Sequence, residues 1–255
     1  MAAEKSGYPK IFLKLAIVLA ALLLPAMCVP SECLGLTDFE MASALAEKLG
    51  DEFGPESLSV KVLDNHAYAE AGGIFLSGVR VDKLKIEAML TSSEIPGGDA
   101  ESLASIIGYS WGEVTLLESD VNDYFRENES RGFSNLKVEF SPEGFRASGI
   151  FTASLLFTFR IKLAASGKFG LRPDGVYIED AMVYIQNVKQ PGFLVKEMLE
   201  RANPLIEWNE IPFRVVFKTI AVTDYSATMS GEPRDFDGGE SVTWNSASKE
   251  AEAAR

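Results

Sequence analysis

Between positions 145 and 163 apolar and polar residues alternate without a break. The odd positions Phe145, Ala147, Gly149, Phe151, Ala153, Leu155, Phe157, Phe159, Ile161 and Leu163 are all apolar or glycine, and the even ones include Arg146, Ser148, Thr152, Ser154, Thr158, Arg160 and Lys162. A sustained period of two predicts β-structure with one buried face. Taken as one strand, these 19 residues would extend about 60 Å, against roughly 17 to 20 Å for an ordinary strand. The pattern therefore predicts an elongated sheet, or one bent strongly at the small residues Gly149, Ala153 and Ser154.

The flanking pattern supplies more strands and three helices. Thr37 and Glu40 have capping-box spacing ahead of a stripe of Ala42, Leu45, Ala46, Leu49 and Phe53, closed by Gly54-Pro55. A second helix is expected from Ser119 or Asp120, with Val121, Tyr124 and Phe125 inward, and a third from Pro191, with Val195, Met198, Leu199 and Ala202 inward and Asn203-Pro204 at its end. Leu58, Val60 and Val62 alternate as a strand. Val79 and Val81, then Leu84, Ile86, Ala88 and Leu90, alternate on two frames, which predicts a bulge near Asp82-Lys83.

Residues 66–73 read as a turn of helix or a loop, residues 91–112 as the most loop-like part, and 113–117 as a short strand. Leu136, Val138 and Phe140 lead into a Ser141-Pro142-Glu143-Gly144 turn, and Arg172-Pro173-Asp174-Gly175 makes a second. The chain returns through Val176, Ile178, Met182, Tyr184 and their neighbours, with a further bulge expected near Glu179-Asp180. Residues 211–231 read as the last strand region. Beyond Gly231 the text turns polar and acidic, so 232–255 reads as a flexible tail in which Trp244 stands alone.

The N-terminus has a different character. Lys5, Lys10 and Lys14 precede an apolar run at 15–29 interrupted only by Pro25, the layout of a signal peptide over residues 1–31. The run is short of the ~20 residues of a spanning helix, and a retained N-terminal or lipid anchor is the alternative. Cleavage after Ser31 would leave Cys33 as the sole thiol, which removes any structural disulfide. It would also shift the net charge from −13 to −15, because three lysines leave with one glutamate. The expected organisation is a processed segment at 1–31, an α+β domain at 37–231 and the acidic tail.

Charge and chemistry narrow the function by exclusion. With 24 basic against 37 acidic residues, the chain repels nucleic-acid phosphates. A single histidine, His66, removes most triads and imidazole metal sites. No G-x-S-x-G, P-loop, H-E-x-x-H or C-x-x-C motif occurs. Glu113, Glu118 and Asp120 form a carboxylate group whose simpler explanation is helix capping. No catalytic residue, metal site or cofactor is assigned. Asn128-Glu129-Ser130 fits a glycosylation sequon, a motif frequent by chance.

What remains is apolar shape. Phe151, Leu155, Phe157, Phe159 and Ile161 on the long strand face, with Met198 and Leu199 from the third helix closing over them, are the candidate lining of a lipid groove; an ordinary solid sheet core is the competing reading.

Over most of the exported part the chain resembles the LmeA-like phospholipid-binding family of bacterial envelopes. The resemblance rests on a helix and strand at 45–62, a glycine-led strand at 73–90, and the Val114-Thr115-Leu116-Leu117-Glu118-Ser119-Asp120-Val121-Asn122 junction. It continues through the long strand after Gly144, the turn at 172–175, and Val222-Thr223-Asp224. The segment at 91–108 and the tail depart from it. The resemblance implies a long curved antiparallel sheet wrapped around two or three helices, as in tubular lipid-binding folds. It implies a non-catalytic, exported envelope protein whose partner is phospholipid or another acyl-chain lipid. The acidic net charge then requires that transient membrane contact use a local apolar or basic patch. The alternative function is an envelope structural or assembly protein with a solid core.

Overall fold

The computed structural model describes residues 35–127, 133–154 and 158–244. The segment expected to be a signal peptide, the sequon at 128–130, Leu155 and Phe157 lie outside them.

The class is α+β, and every strand pairing within its sheets is antiparallel. The strands divide between two sheets where the sequence suggested one. The first sheet is built from β1 (Ser57–Leu63), β2 (His66–Leu76), β3 (Val79–Leu90), β4 (Ile107–Leu117), β11 (Thr219–Val222), β12 (Ser226–Ser230) and β13 (Ser241–Trp244), in the order β11-β12-β4-β3-β2-β1-β13. The second contains β5 (Phe133–Ser141), β6 (Gly144–Ser154), β7 (Thr158–Arg172), β8 (Gly175–Ile185) and β10 (Ile206–Glu207), in the order β10-β8-β7-β6-β5, with β9 (Val188–Lys189) also paired to β8.

Local chemistry sets the reversals. Asp64-Asn65, Ser77-Gly78 and Gln186-Asn187 each place two successive residues at positive φ between paired strands, the geometry of type I′ hairpins. Pro142-Glu143 and Pro173-Asp174 make the expected two-residue turns in the second sheet. Residues 66–73 are strand, correcting the helix-or-loop reading. On the core face of β2 the buried positions run Ala67, Ala69 and Ala71, then change frame to Ile74 and Leu76, with Tyr68 buried on the other side; β3 changes frame opposite, from Val79 and Val81 to Leu84 and Ile86. Gly73, at φ +65, sits at the change. The bulge expected near Asp82-Lys83 is not formed: the two strands switch faces together and stay in register across it.

Helix α1 (Asp38–Phe53) begins with the predicted capping box: the Glu40 N–H donates to Thr37 Oγ1 at 3.3 Å and the Thr37 N–H to the Glu40 carboxylate at 2.9 Å. It ends at Gly54 in the left-handed region. Met41, Ala42, Leu45, Ala46 and Leu49 are buried in the same cluster as Leu58, Val60, Ile86 and Leu90 of the first sheet. The stretch at 91–112 is less irregular than its composition suggested. A 3-10 turn at Ala100–Ser105 buries Ala100 and Leu103, and β4 already runs from Ile107. Residues 211–231 are not one strand region: Ile211, Phe213 and Val215 enter the core from irregular chain, and only then does the β11–β12 hairpin form.

The tail reading is corrected up to Trp244. β13 pairs with β1, Val60 facing Val242 and Leu58 facing Trp244, so both apolar residues join the buried face beneath α1. The Trp244 indole lies on Gly50, where an added Cβ would come within 2.3 Å of its ring. Upstream, the Arg234 N–H donates to the Glu87 carboxylate at 2.7 Å, while the Lys61 ammonium donates to the Phe236 carbonyl at 2.6 Å and pairs with Asp235. Acidic composition concealed a strand whose apolar signal is two residues long. Trp244→Ala should lower unfolding free energy by about 2 kcal/mol, a partial-burial fraction of the usual loss, measured by urea denaturation; a freely moving tail would give no change.

Candidate functional site

The unbroken alternation at 145–163 is a hairpin, not one strand. β6 and β7 pair from Phe145↔Gly167 to Ser154↔Thr158, with Phe151 opposite Ile161 and Ala153 opposite Phe159. In this register odd residues pair with odd, and cross-strand partners share a face. The alternation therefore passes through the reversal with its phase unchanged, and the period could not distinguish one long strand from two shorter ones.

One face of the second sheet is apolar along its length. A bulge in β8 opposite Ser166–Lys168, with Asp180 at φ 49, appears where a frame change was expected near Glu179-Asp180. Its extra residue keeps Ile178 and Val176 on the same face as Val183 and Ile185, since they oppose Phe169, Leu171, Ala165 and Leu163 respectively. Two helices cover this face in separate places. Val121 and Phe125 of α2 (Glu118–Glu127) pack on Val138, Phe140 and Phe145 near the Pro142 turn. At the other end Val195, Met198 and Leu199 of α3 (Gly192–Ala202) pack with Leu163 and Val183.

The candidate lining residues fall at this α3 end. Ile161, Met198 and Leu199 are half-buried. Phe151 and Phe159 are placed by register on the paired arms of β6 and β7, and Leu155 and Phe157 lie outside the described residues. The structure thus brings Met198 and Leu199 into one cluster with Leu163, Val183 and Val195, three buried residues that stand apart from the main core. Leu163 ended the alternating run, but Val183 and Ile185 were missed because the β8 bulge breaks their period. β8 ends opposite Leu163, so the pairs Phe151↔Ile161 and Ala153↔Phe159 lie beyond its last residue.

Cover by α3 is light. Within the described helix only Val195 is buried, Leu194, Met198 and Leu199 are half-buried, and Phe193 is exposed. The two best-formed cavities lie elsewhere, between α1 and the first sheet, with volumes of about 10 and 20 Å³. Each is the size of about one water.

Ionisable groups that could suggest chemistry hold structure instead. Asp120 binds Arg80 at 3.1 Å, and Arg80 also binds Glu56 at 2.8 Å. Burial pushes the Asp120 carboxyl up, against the pull of Arg80. Glu118 accepts the Phe140 N–H at 2.6 Å, tying α2 to β5, and Glu113 binds Lys85 at 2.7 Å. Lone His66 lies 3.8 Å from Glu87, whose buried carboxylate already accepts the Arg234 N–H. Burial, with Glu70, Asp235 and Glu113 nearby, pushes the Tyr68 phenol up to about 12, so it stays protonated near neutrality. Among the described residues no group of carboxylate, histidine and cysteine side chains is arranged to hold a metal, and no buried side-chain polar atom lacks a partner.

Comparison with protein families, curated proteins and solved structures finds no match to this chain.

Hydrogen bonding to Lys85 holds the Glu113 carboxyl below its ordinary value of 4.5. The resulting stabilisation is present above the unfolded-state value and is lost as pH falls through the lower folded one. In urea denaturation Glu113→Gln should cost about 1 kcal/mol near pH 7, and its deficit should shrink as pH falls below 4.5 and through the lower folded value, where wild-type Glu113 takes up its proton too.

Proposed function

We propose that the protein is an exported, non-catalytic envelope protein that binds an acyl-chain lipid, phospholipid included, along the α3 end of the second sheet. The observation that carries this reading is an apolar strand face that outruns its cover. The Leu163, Val183 and Val195 cluster is bordered by half-buried Ile161, Ile185, Met198 and Leu199. The β6–β7 arms then continue beyond the end of β8 with further apolar positions in register. An acyl chain laid along this seam would bury methylenes worth about 0.8 kcal/mol each, with α3 as its flank. The resemblance to LmeA-like proteins agrees with such a role and adds phospholipid as the first ligand to try.

Enclosure is not part of the reading. Lipid-sized pockets run from roughly 300 Å³ upward, far above the cavities under α1, so the chain would lie in an open seam or displace α3 outward. With Val195 the one buried side chain among its described residues, α3 has little packing to lose in such a movement. The same small cavities favour the second reading, a solid-cored structural or assembly protein acting through its surface.

Detergent-free purification followed by native mass spectrometry separates the two. The lipid reading expects copurifying lipid, reduced about tenfold in Met198→Asp, with the β-sheet circular dichroism unchanged. A folded protein that carries no lipid and takes up no fluorescent acyl-chain probe supports the solid core.

A further inference from the structure

The charge of this protein is distributed unevenly along the chain. Residues 144–173 and 181–196 contain seven basic residues and not one acid, in a chain with 37 acids. These two stretches are neighbours in the second sheet: they form β6, β7, the far half of β8, β9 and the first turn of α3. Two of the seven bases are neutralised near the Pro173 turn, Lys168 by Asp180 and Arg172 by Glu179. At the opposite end Arg160, Lys162 and Lys189 are exposed, and no ion pair is seen for them among the described residues; exposed Lys196 has only Glu200 at 3.8 Å.

The same end carries two of the most exposed apolar side chains in the described structure. Val188, in the β8–β9 hairpin, is 64% exposed, and Phe193, five residues on in the first turn of α3, is 70% exposed. Backbone pairing brings Val188 next to Ile185, and the Gln186 N–H to the Lys162 carbonyl at 3.3 Å, so the hairpin and the β7 bases lie at the same end of the sheet, the bases on the face opposite Leu163.

We propose that this end docks onto the surface of an anionic lipid bilayer, with Phe193 and Val188 entering the interface and Arg160, Lys162, Lys189 and Lys196 facing the headgroups. The occupant is chosen by charge complementarity. A protein of net charge −13 is repelled as a body from an anionic surface, and only a pole where bases outnumber acids can approach it; here Arg160, Lys162, Lys189 and Lys196 stand against Glu197 and Glu200 of α3. The acidic remainder then turns the molecule so that this pole leads. Basic residues near such a surface each strengthen binding about fivefold and act within a Debye length. Exposed aromatic and aliphatic side chains among them add the short-range hold that charge alone lacks. Docking does not require that the seam beside α3 hold lipid, although it would set that seam against a bilayer.

The full-length chain is mixed with vesicles of phosphatidylcholine alone or with phosphatidylglycerol, and vesicle-bound protein is mapped by amide hydrogen exchange. The expected result is partitioning that rises with phosphatidylglycerol, falls with salt, and protects amides of 186–196. Lys162→Gln with Lys189→Gln should weaken binding to phosphatidylglycerol vesicles about 25-fold, and Phe193→Ser should remove the protection, whereas Lys218→Gln in the other sheet should change neither. Absence of binding, equal binding to both vesicles by parent and double variant, or bound protein with 186–196 unprotected would overturn the proposal. Whether lipid copurifies is read separately, so failure of the seam and failure of the docking end are distinct results.

Discussion

An antiparallel sheet has one face that must leave water, and in this protein the placement of every helix follows from that requirement. The first sheet hides its face beneath α1, the 3-10 turn around Leu103 and the irregular chain carrying Ile211, Phe213 and Val215. The second sheet joins that core through Val176 and Ile206, with Phe169 and Leu171 beside them, while α2 covers its face near the Pro142 turn and α3 covers the opposite end lightly. The deep core and the lightly covered seam are two outcomes of one constraint, decided by how much covering chain each sheet receives.

Legibility in the sequence followed the range of the interaction. The α1 capping box, the Gly54 stop, the two Pro-acid-Gly turns and the Pro191 helix start all depend on residues a few positions apart, and all form as the spacing predicts. The β6–β7 hairpin was hidden because its register preserves the phase of the alternation. β13 was hidden because its partner, β1, lies some 180 positions away, as the Ser59–Ser241 hydroxyl contact shows. Of the candidate lining, Met198 and Leu199 were legible from helical periodicity, whereas Val183 and Ile185 were missed because the reading carried the apolar face through Met182 and Tyr184, one residue out of frame beyond the β8 bulge.

The ionisable groups tell a similar story. Carboxylates that look clustered in the sequence, Glu113, Glu118 and Asp120, diverge in space to Lys85, the Phe140 amide and Arg80. They tie β4 and α2 to β3 and β5. The uneven distribution of charge is, by contrast, fully present in the sequence; it acquires meaning only when the sheet order sets the two acid-free stretches side by side.

The position of β13 bears on the order of events in the life of the chain. β1 is synthesised some 180 residues before β13, so its outer backbone groups and the hollow at Gly50 wait for that later segment. Until then β1 is an open edge, the kind of strand that recruits other chains. A nascent or truncated polypeptide would carry that edge unsealed. Closure of the first sheet therefore waits for residues 241–244, and a polypeptide stopped short of them would keep an edge prone to aggregation.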